Sequence, residues 1–193
     1  DFLPTVGDCT RLWDWIDRQR AEMKSAALRD VVDLFFGDDT FRAQFELMPG
    51  SPSGGHHCKL GGLLMHVYEV TAIAKLTART MRANVDLTVT GALLHDIGKV
   101  EAYEIGVSGF GVTPRGALLG HIVLGTYMLH DVLSAARRDT GRDIVSPSQL
   151  LELEHMILSH HGSLEFGSPV QPMTLEAEIL HWADEASAKG NDM

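Results

Sequence analysis

Helical periodicity runs through almost the whole chain, and it limits the fold more than any other feature. In "RLWDWIDRQRAEM" (Arg11–Met23), Leu12, Trp15, Ile16 and Met23 recur at helical spacing. "AALRDVVDLFFG" carries Leu28, Val31, Val32 and Phe35 and stops at Gly37, a residue suited to follow a helix. "DDTFRAQFEL" pairs Phe41 with Phe45 at i, i+4. Beyond the Pro/Gly/Ser loop "MPGSPSGGHHCKLGG", the spacing predicts a long helix from about Gly62 to Met81. "DLTVTGALLHDIG" reads as the next helix, and "GALLGHIVLGTYMLHDVLSAARR" as another from about Gly116 to Arg138. "SPSQLLELEHMILSHHG" opens with Ser146, Pro147 and Gln149 in capping-box order and ends at Gly162. Thr174 caps a last helix through about Ala188. Only "EIGVSGFGVTP" (Glu104–Pro114) is β-prone, and its Gly106, Gly109 and Gly111 suggest a short hairpin or lid near a site. The fold class is therefore all-α: a helical bundle with short N-terminal helices and a small Gly-rich hairpin. We divide it into a helical extension, 1–50, packed on a main domain, 51–193.

Composition narrows the function. The chain is 45% hydrophobic and 22% charged, which suits a packed core. No run of about 18 uninterrupted apolar residues occurs, so no membrane partner is expected. The start shows no secretory pattern, and a first residue Asp1 in place of Met points to a longer parent chain. Cys9 and Cys58 alone make no disulfide framework, so a cytoplasmic location is expected. The formal net charge of −10 repels nucleic acid unless metal ions or a basic patch reverse the sign locally. Ten histidines are many for 193 residues, and they cluster.

Those histidines fall where histidines are costly. His66 shares a helix face with Leu63, Val70 and Ile73; His121 lies beside Leu118, Leu124 and Met128. His95 and Asp96 follow an apolar run, with small Gly91 and Ala92 one turn back leaving a hollow beside the imidazole. Adjacent positions diverge by about 100° on a helix, so this pair can share an ion only near the helix end, which Gly98 supplies. His160 and His161 close their helix before Gly162, and Asp184 lies on the last one. A single inward histidine reads best as bonded to a carbonyl. Six imidazoles and carboxylates on five helices, at roughly 1–3 kcal/mol each if uncompensated, point to a shared metal centre.

The words "HHCKLGGLLMHVYEV", "GALLHDIGKVEAYE", "GALLGHIVLG" and "HMILSHHGSLEFGSPVQPMTLEAEILHWAD" resemble the HD superfamily of metal-dependent phosphohydrolases. Within it they are most similar to the HD domain of the YhaM-type 3′→5′ exoribonucleases, and the N-terminal helices also resemble those that precede that domain. The resemblance implies an HD-domain bundle and two divalent ions. The first would be held by His66, His95, Asp96 and Asp184; the second by His121 and His160 with Asp96 as a bridge. A one-ion variant lacking the His121/His160 ion is the alternative. Imidazole-rich ligation favours Mn²⁺, Fe, Co, Ni or Zn over Mg²⁺, with Mn²⁺ preferred for activity. Such proteins usually carry an OB-fold, which nothing here resembles. They more often show "ADNLDAK" where this chain has "ADEASAK", so that Glu185 and Ser187 replace Asn and Asp.

Catalysis is assigned to Asp96, His161 and Lys99. His161 is read as a phosphate donor, a general acid or a further ligand, and Lys99 as a phosphate partner. His57, and less so His56, could reach substrate from the glycine loop, where Gly61 and Gly62 allow close backbone approach. His181 is placed for an outer contact to Asp184, while His130 and His155 are read as structural or solvent-facing. The Trp13, Trp15, Phe35, Phe36, Phe41 and Phe45 stripe is read as core. The expected activity is 3′→5′ exonuclease cleavage of single-stranded RNA or DNA by metal-activated water, in a homo-oligomer by resemblance. A phosphohydrolase of a small nucleotide or second messenger, and a non-catalytic nucleotide- or DNA-binding regulator, stand as alternatives.

Overall fold

The computed structural model describes residues 3–54 and 57–190. Among them the order is α1 (Thr10–Glu22), α2 (Ala26–Phe36), α3 (Asp39–Leu47), α4 (Gly62–Met81), α5 (Val85–Leu94) and the single turn α6 (Lys99–Ala102). Strands β1 (Tyr103–Gly106) and β2 (Gly109–Val112) follow, then α7 (Pro114–Thr140), α8 (Pro147–Ser159), a 3₁₀ turn (Leu164–Phe166) and α9 (Leu175–Lys189). Side chains cap most helix starts, satisfying amides that would otherwise lack partners. Ser25, Asp38, Asn84, Thr113 and Thr174 each accept from the amide three residues on, and Ser146 with Gln149 completes the capping box. The all-α reading holds.

α5 is apolar on all sides and buried from Leu87 to Leu94, the condition of a helix enclosed by others. It packs against α2, α4, α8 and α9, while α4 also touches α1 and α3. Trp13, Ile16, Val31, Val32, Phe36 and Phe45 join the same apolar cluster as Leu63, Val67, Leu93 and Ile179. Truncating one fully buried aromatic such as Phe36 to alanine costs about 3–5 kcal/mol. Asp86 at the start of α5 also accepts from the amides of Lys24 and Ser25, fixing the α1–α2 turn onto the central helix. The end of α5, which carries His95 and Asp96, is therefore anchored from several directions.

α7 differs from its sequence pattern. It starts two residues early, at Pro114 behind the Thr113 cap, and breaks at Gly120, where φ is 73° and ψ 156°. The break resets the helical phase. Leu118, expected on one face with His121, is 84% exposed, whereas Leu124 is fully buried. The α5–α6 turn and α7 meet backbone to backbone: a Cβ on Gly98 would lie 1.9 Å from the His121 carbonyl oxygen. α7 is long and apolar enough by composition to cross a bilayer, yet it delivers His121 into a polar cluster. The β1–β2 hairpin pairs Tyr103 with Val112 through Gly106 with Gly109. Residues 104–112 do not line the two cavities beside His161 and Asp184.

Candidate metal centre

Two helix ends build the centre. α5 stops at Leu94, so His95 and Asp96 lie in the following turn and both point inward. α8 stops at Ser159 and does the same for His160 and His161, with Gly162 leaving at φ 81°. α4 adds His66, α7 adds His121 just past its break, and α9 adds Asp184. The two oxygens of Asp96, which is 1% exposed, face opposite ways. Oδ2 lies 3.4 Å from His66 Nε2 and 3.3 Å from His95 Nε2. Oδ1 lies 3.3 Å from His121 Nε2 and 3.7 Å from His160 Nε2. Asp184 Oδ1 closes the first side at 3.0 Å from His66 Nε2 and 3.7 Å from His95 Nε2. On the second side, donor atoms of His121, His160 and His161 lie within 4.8 Å of one another.

These separations, together with 3.3 Å between the Nε2 atoms of His66 and His95, form edges of a coordination shell. Donors about 2.1 Å from one cation stand about 3.0–3.4 Å apart in octahedral or tetrahedral arrangements. The hydrogen bonds set the tautomers. His95 Nδ1 donates to the Ala92 carbonyl at 2.8 Å and His160 Nδ1 to the Ile157 carbonyl at 2.7 Å, so each ring turns its Nε2 inward. Asp96 Oδ1, His121 Nε2 and His160 Nε2 are buried without a hydrogen-bond partner. Lone pairs facing a carboxylate in a dry interior are costly unless a cation lies among them.

The HD domain family model matches residues 63–189. The chain belongs to the HD-domain family. It is similar to the 3′-5′ exoribonuclease YhaM of Bacillus subtilis (strain 168), with 35% identity over 195 residues, 100% of this chain and 59% of that protein. It is also similar to YhaM of Geobacillus sp. (strain WCH70), 41% identical over 137 residues, 70% of this chain and 40% of that protein. A third, YhaM of Bacillus velezensis, is 38% identical over 191 residues, 98% of this chain and 57% of that protein. The chain thus spans less than two thirds of the length of these relatives. No solved structure matched it.

HD domains bind divalent metals, and the donor set here fits that property. Proton-bearing groups also face the carboxylates. The Lys99 ammonium lies 2.6 Å from Asp96 Oδ2, an ion pair lacking hydrogen-bond alignment, and donates to the Gly50 carbonyl at 2.7 Å. Burial alone would depress the Lys99 pKa, but the Asp96 charge outweighs it and raises it. Burial likewise opposes ionisation of Asp96, and Lys99 with His95 overcomes this, holding the carboxyl well below its usual range. His66, penalised by burial but bonded to Asp184 and Asp96, is raised to about 9. His121 is pushed down to about 3, chiefly by burial, and His160 well below its ordinary value for the same reason. His121 and His160 are therefore neutral imidazoles, the form that ligates.

The remaining expectations divide. Lys99 is 7% exposed and tied to Asp96 and the Gly50 loop. His57 is buried 3.2 Å from Glu69 Oε2, with its ring 5.0 Å from that of His66. Gly62 permits this: a Cβ there would lie 2.0 Å from the His57 carbonyl oxygen. His56 lies outside the described residues. His161 reaches the second side with its Nδ1 bonded to the Phe166 carbonyl at 2.7 Å. The hollow expected beside Gly91 is not there, because a Cβ would lie 2.2 Å from Met156 Cε; that glycine lets α5 approach α8. His181 bonds the His160 carbonyl at 2.9 Å, not Asp184. His130 pairs with Glu154, and His155 accepts from the Met173 amide. The sequence reading missed Glu69. Its carboxylate accepts from Ser187 Oγ at 2.7 Å, and that hydroxyl accepts from His66 Nδ1 at 3.0 Å. Glu69 and His66 are i, i+3 on one helix, the only sequence signal that could have found it.

Proposed function

We propose that this chain is a metal-dependent phosphodiesterase that removes nucleotides from the 3′ end of single-stranded RNA or DNA. The observation that carries this reading is Asp96, whose two oxygens face separate imidazole sets as a bridging carboxylate would. His66, His95, Asp96 and Asp184 would hold one ion; Asp96, His121 and His160, with His161 within reach, would hold the other. Such ions, when bound, supply Lewis acidity to the phosphate and lower the pKa of water near phosphorus. Imidazole-rich donors favour a transition metal, and Mn²⁺ is our choice for activity. Lys99 holds the bridging carboxylate and the Gly50 loop together. His161, half-buried at the open side, would donate a proton to the leaving oxygen. The similar relatives are called 3′-5′ exoribonucleases, which supports the direction of attack and the substrate. Both cysteines are free, in keeping with a cytoplasmic location.

The net charge of −10 favours a second reading, a phosphohydrolase of small nucleotides, because it opposes a long polyanion. A 5′-labelled single-stranded RNA incubated with Mn²⁺ separates the two. A stepwise shortening ladder, absent with Asp96→Ala, is the expected result. An intact RNA together with hydrolysis in a nucleotide panel would replace the first reading with the second.

A further inference from the structure

Two cavities meet at the edge of the centre formed by His161 and Asp184. One, of about 160 Å³, is polar: Lys99, His57, His66, Gly50 and Ser51 line it. The other, of about 300 Å³, is mostly apolar: Phe166, His181, Ala188 and Lys189 line it beyond His161 and Asp184. Sites for small ligands occupy about 300–1,000 Å³, so the second cavity suits a single flat group.

Phe166 is the unusual member. It is 69% exposed, so the core gains little from it, and Leu164 in the same turn is 72% exposed. Yet its position is fixed. Its carbonyl accepts from His161 Nδ1, its amide bonds the Ser163 carbonyl at 3.1 Å, and Ser168 Oγ accepts from the His161 amide at 3.0 Å. Gly167, at φ 93°, turns the chain away immediately afterwards. The main chain that carries this aromatic ring is fixed beside a polar centre, so only the ring's own rotation is left to order on binding. Glu185, paired with Lys189, also lines this cavity.

We propose that this cavity seats the base of the 3′-terminal nucleotide, stacked on Phe166, while its phosphate lies at the centre; this rests on the phosphodiesterase reading above. A nucleotide divides as the two cavities do, into a flat apolar base and a polar sugar-phosphate. Stacking requires no particular hydrogen-bond pattern, so the pocket accepts any base.

The test is binding, measured by fluorescence anisotropy in Mn²⁺. The probe is a 5′-fluorescein RNA hexamer whose last linkage is a non-hydrolysable methylene phosphonate, with the terminal base present or absent. Base–aromatic stacking corresponds to about a 5- to 150-fold change in affinity. Wild type should bind the abasic hexamer about 10-fold more weakly. Phe166→Ala, which keeps the main-chain carbonyl that holds His161, should bind the normal hexamer about 10-fold more weakly and lose nothing further on the abasic one. Phe166→Trp should restore discrimination. Equal binding of both hexamers by wild type, an abasic penalty that persists in Phe166→Ala, or no binding at all would overturn the proposal. Because no turnover is read, discrimination without an RNA ladder would leave the pocket standing and remove the catalytic reading.

Discussion

The ends of α5 and α8 use one local device for two outcomes. Each places two polar residues after the last helical turn, and each fixes the first, His95 or His160, by a ring N–H to a carbonyl three residues back. The second residues differ. Asp96 is sealed inside and faced by four imidazoles and Lys99, whereas His161 is half-buried and tied to the outer 3₁₀ turn through Phe166. A helix end thus lets neighbours in sequence converge, and the next few residues decide whether the second of the pair is enclosed or left open at the surface.

The largest effect should come from the enclosed member. Asp96→Asn removes a charge that both donor sets share, and activity should fall by at least about 10³-fold, comparable with losing a central electrostatic group. Metal content, measured by elemental analysis, should drop on both sides. Lys99 is left buried without its counter-ion, which costs about 3–5 kcal/mol and lowers the thermal midpoint of the metal-free protein. Unchanged turnover would remove the whole metal assignment.

The α8 pair then breaks or sharpens the comparison. His160→Ala should lose about one ion per chain. His161→Ala should keep the metal content and lower kcat by about 10²-fold or more, the usual contribution of a general acid. Equal metal loss in both variants would make His161 a ligand, and the two helix ends would be alike.

How far this was legible follows from the range of each cause. The caps at Ser146 and Thr174 and the span of α4 were readable because they depend on residues within a turn of one another. The cluster was readable because histidines on apolar faces are costly wherever the partners lie. The phase shift at Gly120 was not, since a glycine at φ 73° inside a helix leaves no trace in hydrophobic spacing. Gly91 was misread because Met156, the atom group that needs its missing side chain, lies on another helix. Phe166 was part of the quoted motif, but only its exposure beside His161 gives it a use.

A smaller effect is carried by pH. In the metal-free protein the His66 pKa, about 9, lies above its unfolded value of about 6.5. Its ion pairs with Asp184 and Asp96 therefore stabilise the fold fully below about pH 6.5, and that contribution is lost as pH rises through about 9. Binding a metal must expel the same proton, so Mn²⁺ affinity should rise by up to about tenfold per pH unit between those limits. Titration calorimetry across this range checks it; a flat profile would mean that His66 carries no proton to displace.

The smallest expected effect isolates what His66 lacks. His95 and His160 are oriented by backbone carbonyls, which no substitution removes. His66 is oriented by side chains alone, its Nδ1–H passing to Ser187 and the Ser187 hydroxyl to Glu69. Orienting contacts of this kind typically carry about 10–100-fold in metal affinity. Ser187→Ala should therefore weaken Mn²⁺ binding by about 10-fold or more while the His121/His160 side keeps its ion. Ser187→Asp, a carboxylate that accepts from His66 directly, should restore affinity. Competition against a metal-sensitive dye reads both variants. If Ser187→Ala binds as tightly as wild type, packing around α4 orients His66, and its side of the centre is as insensitive to side-chain change as the other two histidines are.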